Sequence, residues 1–189
     1  MNEAVPPVQL PRISFSGKIH LINNDDELTK AASGLTSATK LGFDTETRPA
    51  FKKGETFQVA LLQLATGTDA YLIRLHHIKN YEIIKSVLEN DQVLKVGVAI
   101  RDDIKGLQKL FSFTPKKFIE LQDVAKEKGL KNFGLKGMAA EVLQAALSKG
   151  PKMTNWESSV LTAPQLLYAA TDAWIGLKLY NKITNQITP

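Results

Sequence analysis

Three short segments with the composition of β-strands follow one another in the first half of the chain, and only brief connections separate them. They span residues 40–46 (KLGFDTE), 58–65 (QVALLQLA) and 70–75 (AYLIRL), and the turn TGTD joins the last two. Because short turns join neighbouring strands of opposite direction, these segments predict an antiparallel meander. A fourth segment, residues 93–100 (VLKVGVAI), is apolar almost throughout, which is typical of a strand buried on both faces.

Helical patterns surround these strands. We predict helices over residues 25–38, 81–88, 124–128, 135–147 and 164–183, a further helix after Asp102, and a short strand over residues 118–121. The first 17 residues contain Pro6, Pro7 and Pro11 and predict an irregular lead-in to a single domain over residues 18–189. This order of elements predicts an α/β fold with a mixed sheet, an antiparallel meander plus parallel strands, flanked by helices.

The composition excludes several classes of protein. The 189 residues include no cysteine, which rules out disulfide scaffolds and thiolate zinc sites. No apolar run approaches the roughly 20 residues needed to cross a bilayer, and no signal peptide is evident, so we expect a cytoplasmic protein without membrane contact. No Walker A or Rossmann fingerprint is present, and neither a nucleotide cofactor nor an obligate protein partner is expected. The net charge of +5 is compatible with a polyanionic partner.

Two acidic residues stand two positions apart on the first predicted strand. Asp44 and Glu46 point to the same face because side chains alternate along a strand, whereas Thr45 points to the other. Neighbouring carboxylates on an otherwise apolar strand repel each other and lose hydration, and a hard divalent cation between them removes both costs. Two solvated acids on an exposed sheet face are the common alternative to a metal site.

Two further acidic positions are candidates for the same site. Tyr168 and Asp172 stand four residues apart on one face of an apolar, buried helix, where a Tyr–Asp hydrogen bond is an alternative to a catalytic role. Asp102 and Asp103 lie where the predicted strand 93–100 gives way to a helix, and acids at such junctions commonly cap the helix.

Taken together, these segments resemble the DEDDy branch of the 3′–5′ exonucleases, in the DnaQ-like, ribonuclease H-like superfamily, and most of all ribonuclease D and the Werner syndrome helicase exonuclease domain. The segment FDTET is similar to the first family motif and supplies Asp44 and Glu46. The third motif, Tyr-x-x-x-Asp, is matched by Tyr168 and Asp172. The likeness extends from about residue 41 to residue 180. It implies a ribonuclease H-like fold.

The second family motif has an aspartate six residues after a Val-Gly pair. Counting from Gly97 in this way leads to Asp103. The adjacent Asp102 makes this assignment ambiguous by one residue, and only the spacing chooses between them. We therefore assign the site role to Asp103 and the capping role to Asp102.

The resemblance implies a two-metal phosphodiesterase mechanism with Mg²⁺ or Mn²⁺ as cofactors. Asp44 would bridge the two ions, Glu46 and Asp172 would complete the site that holds the attacking water, and Asp103 would hold the second ion. Tyr168 would orient the water rather than deprotonate it, since a phenol has an ordinary pKa near 10. The products would be nucleoside 5′-monophosphates released from a 3′ end of DNA or RNA.

Residues after the first motif are candidates for substrate contact. Arg48 and Lys52 are placed to bind backbone phosphates, and Phe51 or Phe57 to stack on a terminal base. A solvated surface or a packing role is the alternative for each of them. The alternative for the whole protein is a non-catalytic nucleic-acid-binding module that retains the exonuclease fold.

Overall fold

The computed structural model describes residues 9–52, 54–148, 150 and 154–185. Its strands are β1 (Arg12–Ile13), β2 (Lys18–Ile22), β3 (Lys40–Thr47), β4 (Val59–Ala65), β5 (Asp69–Arg74), β6 (Leu94–Gly97), β7 (Phe118–Glu120) and β8 (Ala146–Leu147). Its α-helices are α1 (Asp25–Thr36), α2 (Glu82–Leu88), α3 (Arg101–Leu110), α4 (Leu121–Glu127), α5 (Leu135–Leu143) and α6 (Ala163–Asn185).

Six strands form one mixed sheet in the order β2-β5-β4-β3-β6-β7. The pairs β3–β4 and β4–β5 are antiparallel, which confirms the predicted meander. The pairs β2–β5, β3–β6 and β6–β7 are parallel. The predicted α/β class is therefore confirmed, although the edge strand β2 had no counterpart among the predicted elements.

Some predicted boundaries were wrong. The strand predicted over residues 93–100 ends at Gly97, because Ala99 adopts a φ of 60° and turns the chain into α3. The helix predicted over residues 135–147 ends at Leu143, and Gln144 with a φ of 50° starts a turn toward β8.

The expected lead-in also contains regular structure. Strand β8 pairs in parallel with β1 inside it, so residues 1–17 are not irregular throughout. Residues 1–8, with Pro6 and Pro7, lie outside the described residues. The single domain over residues 18–189 stays a prediction.

Helices cover both faces of the sheet. Leu28 of α1, Ile84 of α2 and Leu107 of α3 are buried in one apolar cluster with strand residues of the first face. Helix α6 covers the other face, where Ala170 packs in a cluster with Leu61 and neighbouring strand residues, and α4 and α5 flank it. Within the described residues, none of the helices combines the length and apolar character that a bilayer-spanning segment needs.

The close approach of α6 to β3 depends on Gly42. A Cβ atom built at Gly42 would lie 1.9 Å from the backbone oxygen of Ala173, so no larger residue fits without moving the helix. Gly42 precedes Asp44 by two residues on the same face of β3, and Ala173 directly follows Asp172. This backbone contact therefore sets the distance between the first and third acidic motifs.

Replacing Gly42 with alanine should separate α6 from β3. We expect Gly42→Ala to lower the free energy of unfolding by about 1–3 kcal/mol, because the added methyl group meets backbone rather than a flexible side chain. Gly67→Ala is the matched control, since Gly67 is exposed and a Cβ there contacts nothing within 4 Å. Urea unfolding of both variants measures the effect, and equal stability of the two would contradict this account of the contact.

Candidate active site

Three carboxylates converge where β3 passes beneath α6. Asp44 and Glu46 project from the same face of β3, and Asp172 projects from α6 toward them. One carboxylate oxygen from each residue lies within 4.8 Å of the other two. Side chains more than 100 residues apart in the sequence thus form one acidic cluster, as their types and spacing suggested.

Burial and mutual repulsion make this cluster electrostatically unfavourable. Burial raises the pKa of Asp44 well above its ordinary value, and the charges of Asp172, Asp103 and Glu46 raise it further. Burial, followed by the charges of Asp172 and Asp103, raises the pKa of Glu46 to about 8. The protein alone therefore favours protonated carboxyl groups at a pH where isolated carboxylates are ionised.

Asp103 lies beside the cluster rather than inside it. It occupies the first turn of α3, and Thr45 donates its hydroxyl proton to the Asp103 carboxylate at 2.5 Å. Burial raises the pKa of Asp103; the bond from Thr45 opposes this rise, while the charges of Asp102 and Glu120 add to it. Asp103 thus approaches β3 at Thr45, and its charge still acts on Asp44 and Glu46.

The capping role predicted for Asp102 is wrong. Helix α3 begins at Arg101 without a side-chain cap, and Asp102 lies in its first turn with a side chain that is 94% exposed and paired with Lys105. The backbone N–H groups of Ala99 and Ile100 instead donate to the carboxylate of Glu120, each at 2.9 Å. The left-handed turn at Ala99 starts the helix earlier than the sequence suggested, which moves Asp102 past the capping position.

Tyr168 lies one helical turn before Asp172. Its phenol donates a hydrogen bond to the Asp172 carboxylate. Burial, the charge of Asp172 and this hydrogen bond all raise the pKa of Tyr168 above its ordinary value. The phenol is consequently a proton donor in hydrogen bonds at any physiological pH.

Trp156 belongs to the site although the sequence analysis did not assign it there. It is completely buried, and its ring centroid lies 6.3 Å from that of Tyr168. Its indole N–H lowers the pKa of Glu46, although it forms no hydrogen bond of ordinary length and angle with a described residue. A single tryptophan in a polar loop before the third motif was the only sequence signal for it.

Among the described residues, cavities lie on two sides of the carboxylates, and two of them are larger than the others at the site. The first, of about 340 Å³, is bounded by Tyr168 and Asp172, by the start of α5 and by Ser148. The second, of about 480 Å³, lies on the side of Thr45 and Asp103. An extended polymer strand therefore has open space on both sides of the acidic cluster.

The predicted substrate-contact residues occupy different surroundings. Arg48 and Phe57 line the second cavity, where the guanidinium of Arg48 lies 4.7 Å from the ring centroid of Phe57. Arg48 also pairs with Glu157 at 3.5 Å. Lys52 lies in the exposed loop between β3 and β4, and the nearby Phe51 is 77% exposed. All these contacts with substrate stay predictions.

Known proteins share this sequence pattern. A sequence profile of the family described as 3′–5′ exonuclease matches residues 19–188. The mouse bifunctional 3′–5′ exonuclease/ATP-dependent helicase WRN is 36% identical over 157 residues, which cover 80% of this chain and 11% of that protein. Ribonuclease D of Escherichia coli is 27% identical over 166 residues, which cover 86% of this chain and 43% of that protein. The chain thus spans less than half the length of either relative.

Solved structures share the architecture. The Nibbler EXO domain of Aedes aegypti superimposes with a TM-score of 0.83 at 26% identity, over 92% of each chain. Escherichia coli RNase D gives a TM-score of 0.79 at 24% identity over 92% of this chain and 45% of that one, a likeness of fold. With a family profile matched over nearly its whole length and a relative more than one-third identical, this chain belongs to the 3′–5′ exonuclease family.

Proposed function

We propose that this protein is a metal-dependent 3′–5′ exonuclease that hydrolyses phosphodiester bonds at the 3′ end of DNA or RNA and releases nucleoside 5′-monophosphates. The observation that carries the proposal is the cluster of three carboxylate oxygens within 4.8 Å of one another. Membership of the family supports the reaction class. Relatives named ribonuclease D and WRN exonuclease support a nucleic acid as the substrate.

The donor set fits hard divalent cations. Its ligand atoms are carboxylate oxygens, which suit Mg²⁺ and Mn²⁺, and the described residues bring no histidine into the group. The same carboxylates are costly when ionised without a counter-charge, because burial and repulsion raise the pKa of both Asp44 and Glu46. A pair of cations neutralises that charge and removes the repulsion.

Each acidic residue has a role set by its position. Asp44, Glu46 and Asp172 would together hold one cation, and Asp44 would also share in holding a second. Asp103, oriented by the hydroxyl of Thr45, would hold that second cation from the edge of the cluster. When bound, the two cations would supply activation of a water molecule and stabilisation of the alkoxide that leaves.

Tyr168 contributes a proton donor to this site. Because its pKa is raised above the ordinary value, the phenol keeps its proton and donates to an oxygen instead of acting as a base. Its bond to Asp172 holds the ring at the edge of the first cavity. With that proton donated to Asp172, the phenol oxygen accepts a hydrogen bond from the attacking water and so orients it relative to the 3′-terminal phosphodiester.

Removing a carboxylate from the centre of the cluster should abolish turnover. We expect Asp44→Asn and Asp172→Asn each to lower the rate at least about 10³-fold in Mg²⁺ or Mn²⁺, because a neutral amide neither balances nor bridges the cations. Asp26→Asn, at an exposed position in α1, is the matched control.

The assay uses 5′-labelled DNA and RNA strands of one sequence, with and without chelator, and reads the ladder of shortened products. Turnover by either cluster variant at the rate of the Asp26→Asn control would contradict the assignment. A folded wild-type protein that binds both strands and shortens neither would favour the non-catalytic module.

The two adjacent aspartates of α3 provide an internal comparison. We expect Asp103→Asn to lower turnover by about 10²-fold, because the charge of Asp103 acts on Asp44 and Glu46 and its carboxylate is oriented by Thr45. Asp102→Asn should change turnover by less than about 2-fold, since the Asp102 side chain is 94% exposed. Turnover is measured with the same labelled strands. A larger loss in Asp102→Asn than in Asp103→Asn would transfer the second-motif role to Asp102.

The raised pKa of Glu46 predicts an unusual pH dependence in chelator. The folded-state pKa of about 8 exceeds the ordinary glutamate value of 4.5, so the folded protein binds a proton more tightly than the unfolded chain does. The contribution of Glu46 to the free energy of unfolding is therefore at its full value below pH 4.5, and it is lost as the pH rises through 8. Glu46→Gln, which mimics the protonated side chain, should therefore unfold at least about 2 °C higher than wild type at pH 8.

The same two proteins should unfold at similar temperatures near pH 4.5. Glu127→Gln, at an exposed position in α4, is the control and should follow wild type at each pH. Calorimetric scans across this pH range measure the difference. A midpoint for Glu46→Gln at or below that of wild type at pH 8 would contradict the raised pKa.

A further inference from the structure

Arg74 is a buried arginine for which the proposed reaction has no use. It ends β5 with a relative exposure of 3%, and none of the ion pairs formed by the described residues includes it. Burial lowers the pKa of its guanidinium, the expected consequence of removing a cation from water. A buried charge of this kind persists where its hydrogen bonds fix something that other side chains cannot.

The guanidinium binds two consecutive carbonyl groups of one loop. Its terminal nitrogens donate to the backbone oxygens of Ser158 and, at 3.0 Å, of Ser159. One of them also reaches the side-chain oxygen of Asn23 at 3.3 Å, and the other lies 3.3 Å from the ring of His76. The planar fork of an arginine is suited to such a pair of acceptors, whereas a lysine offers a single point of charge.

The loop held in this way carries contacts to both sides of the acidic cluster. Trp156, two residues before Ser158, packs in one cluster with Leu61, the residue opposite Glu46, and its ring centroid lies 6.3 Å from that of Tyr168. Its indole N–H also lowers the pKa of Glu46. Glu157 pairs with Arg48, which lines the second cavity. The loop leads directly into α6, and the side chain of Gln165 in that helix donates a hydrogen bond to the hydroxyl of Thr154 at 2.9 Å.

The sheet register explains how Arg74 acts at a distance. Glu46 lies opposite Leu61 on the neighbouring strand, and Leu61 lies opposite Arg74 on the next, so the three form one row on the face covered by α6. With strands roughly 4.8 Å apart, the backbones at the two ends of this row are about 10 Å apart. Trp156 packs in the same apolar cluster as Leu61, the middle residue of this row.

We propose that Arg74 is a positioning residue of the active site, which clamps the carbonyl groups of Ser158 and Ser159 so that Trp156 keeps Glu46 beside Asp44 and Asp172. The inference rests on the proposed exonuclease function, because it assigns Glu46 to a metal site. Arg74 touches neither metal nor substrate and acts entirely through the loop. Its loss therefore affects metal affinity and turnover more than substrate affinity.

The test compares Arg74→Met with Arg12→Met, an exposed arginine in β1. We expect Arg74→Met to lower kcat about 10-fold and to raise the half-saturating Mn²⁺ concentration about 5-fold or more, with KM for the oligonucleotide within about 2-fold of wild type. Arg12→Met should leave all three values within about 2-fold. A folded Arg74→Met protein with a lowered unfolding temperature but unchanged kcat and Mn²⁺ dependence would overturn the inference and leave Arg74 a purely structural role.

Trp156→Phe tests the last link, since it keeps a ring and removes the indole N–H. If Arg74 acts through Trp156, combining Arg74→Met with Trp156→Phe should add little. The kcat of the double variant should be at most about 2-fold below that of the more impaired single variant. Losses that multiply would show two separate effects and refute the pathway. If Arg74→Met does not fold, Arg74→Lys takes its place in every comparison, and a wild-type Mn²⁺ dependence in that variant would refute the clamp.

Failure of the inference can be told apart from failure of the proposed function. A wild-type protein that binds Mn²⁺ but cleaves no strand refutes the exonuclease proposal, and calorimetric Mn²⁺ affinity of Arg74→Met and Arg12→Met then decides the role of Arg74. A wild-type protein that binds no Mn²⁺ refutes both. Activity in wild type with equal Mn²⁺ affinity in the two variants refutes only the clamp.

Discussion

Repulsion among three half-buried carboxylates dominates the energetics of the candidate active site. Asp44, Glu46 and Asp172 bring three like charges within 4.8 Å of one another, a state that the protein alone relieves only by taking up protons. Burial and then the charges of Asp172 and Asp103 raise the pKa of Glu46 to about 8. Divalent cations relieve the repulsion more completely, because they neutralise every carboxylate of the group at once and also supply the chemistry proposed for the site.

The fold imposes this repulsion through contacts that contain no charge. The glycine at position 42 lets the backbone of α6 rest against β3, and apolar clusters on both faces of the sheet fix that helix in place. Hydrophobic burial thereby stabilises an arrangement that the repulsion between the carboxylates opposes. Sites of this kind concentrate unfavourable interactions where binding or catalysis uses them, and the surrounding core offsets their cost.

Local periodicity placed the candidate residues on common faces, and the resemblance to the exonuclease family selected the site role among the alternatives. Side-chain alternation placed Asp44 and Glu46 on one face, and the helical repeat did the same for Tyr168 and Asp172. It could not predict contacts between distant segments that follow no repeat. The carboxylate of Glu120 that binds the turn before α3, and the guanidinium of Arg74 that binds the loop of Trp156, depend on which segments meet in space. Strand β2 was likewise not predicted, because it pairs with β5, a strand that lies far from it in the sequence.

Isothermal titration with Mn²⁺ in several buffers of different ionisation enthalpy measures whether metal binding displaces protons from the carboxylates. At pH 7 Glu46 is mostly protonated in the metal-free protein, because its pKa is raised to about 8, and the pKa of Asp44 is raised as well. We expect binding of about two ions per chain with release of at least about one proton, seen as a heat that changes with the buffer. The absence of Mn²⁺ binding, or binding whose heat is the same in every buffer, would contradict this expectation.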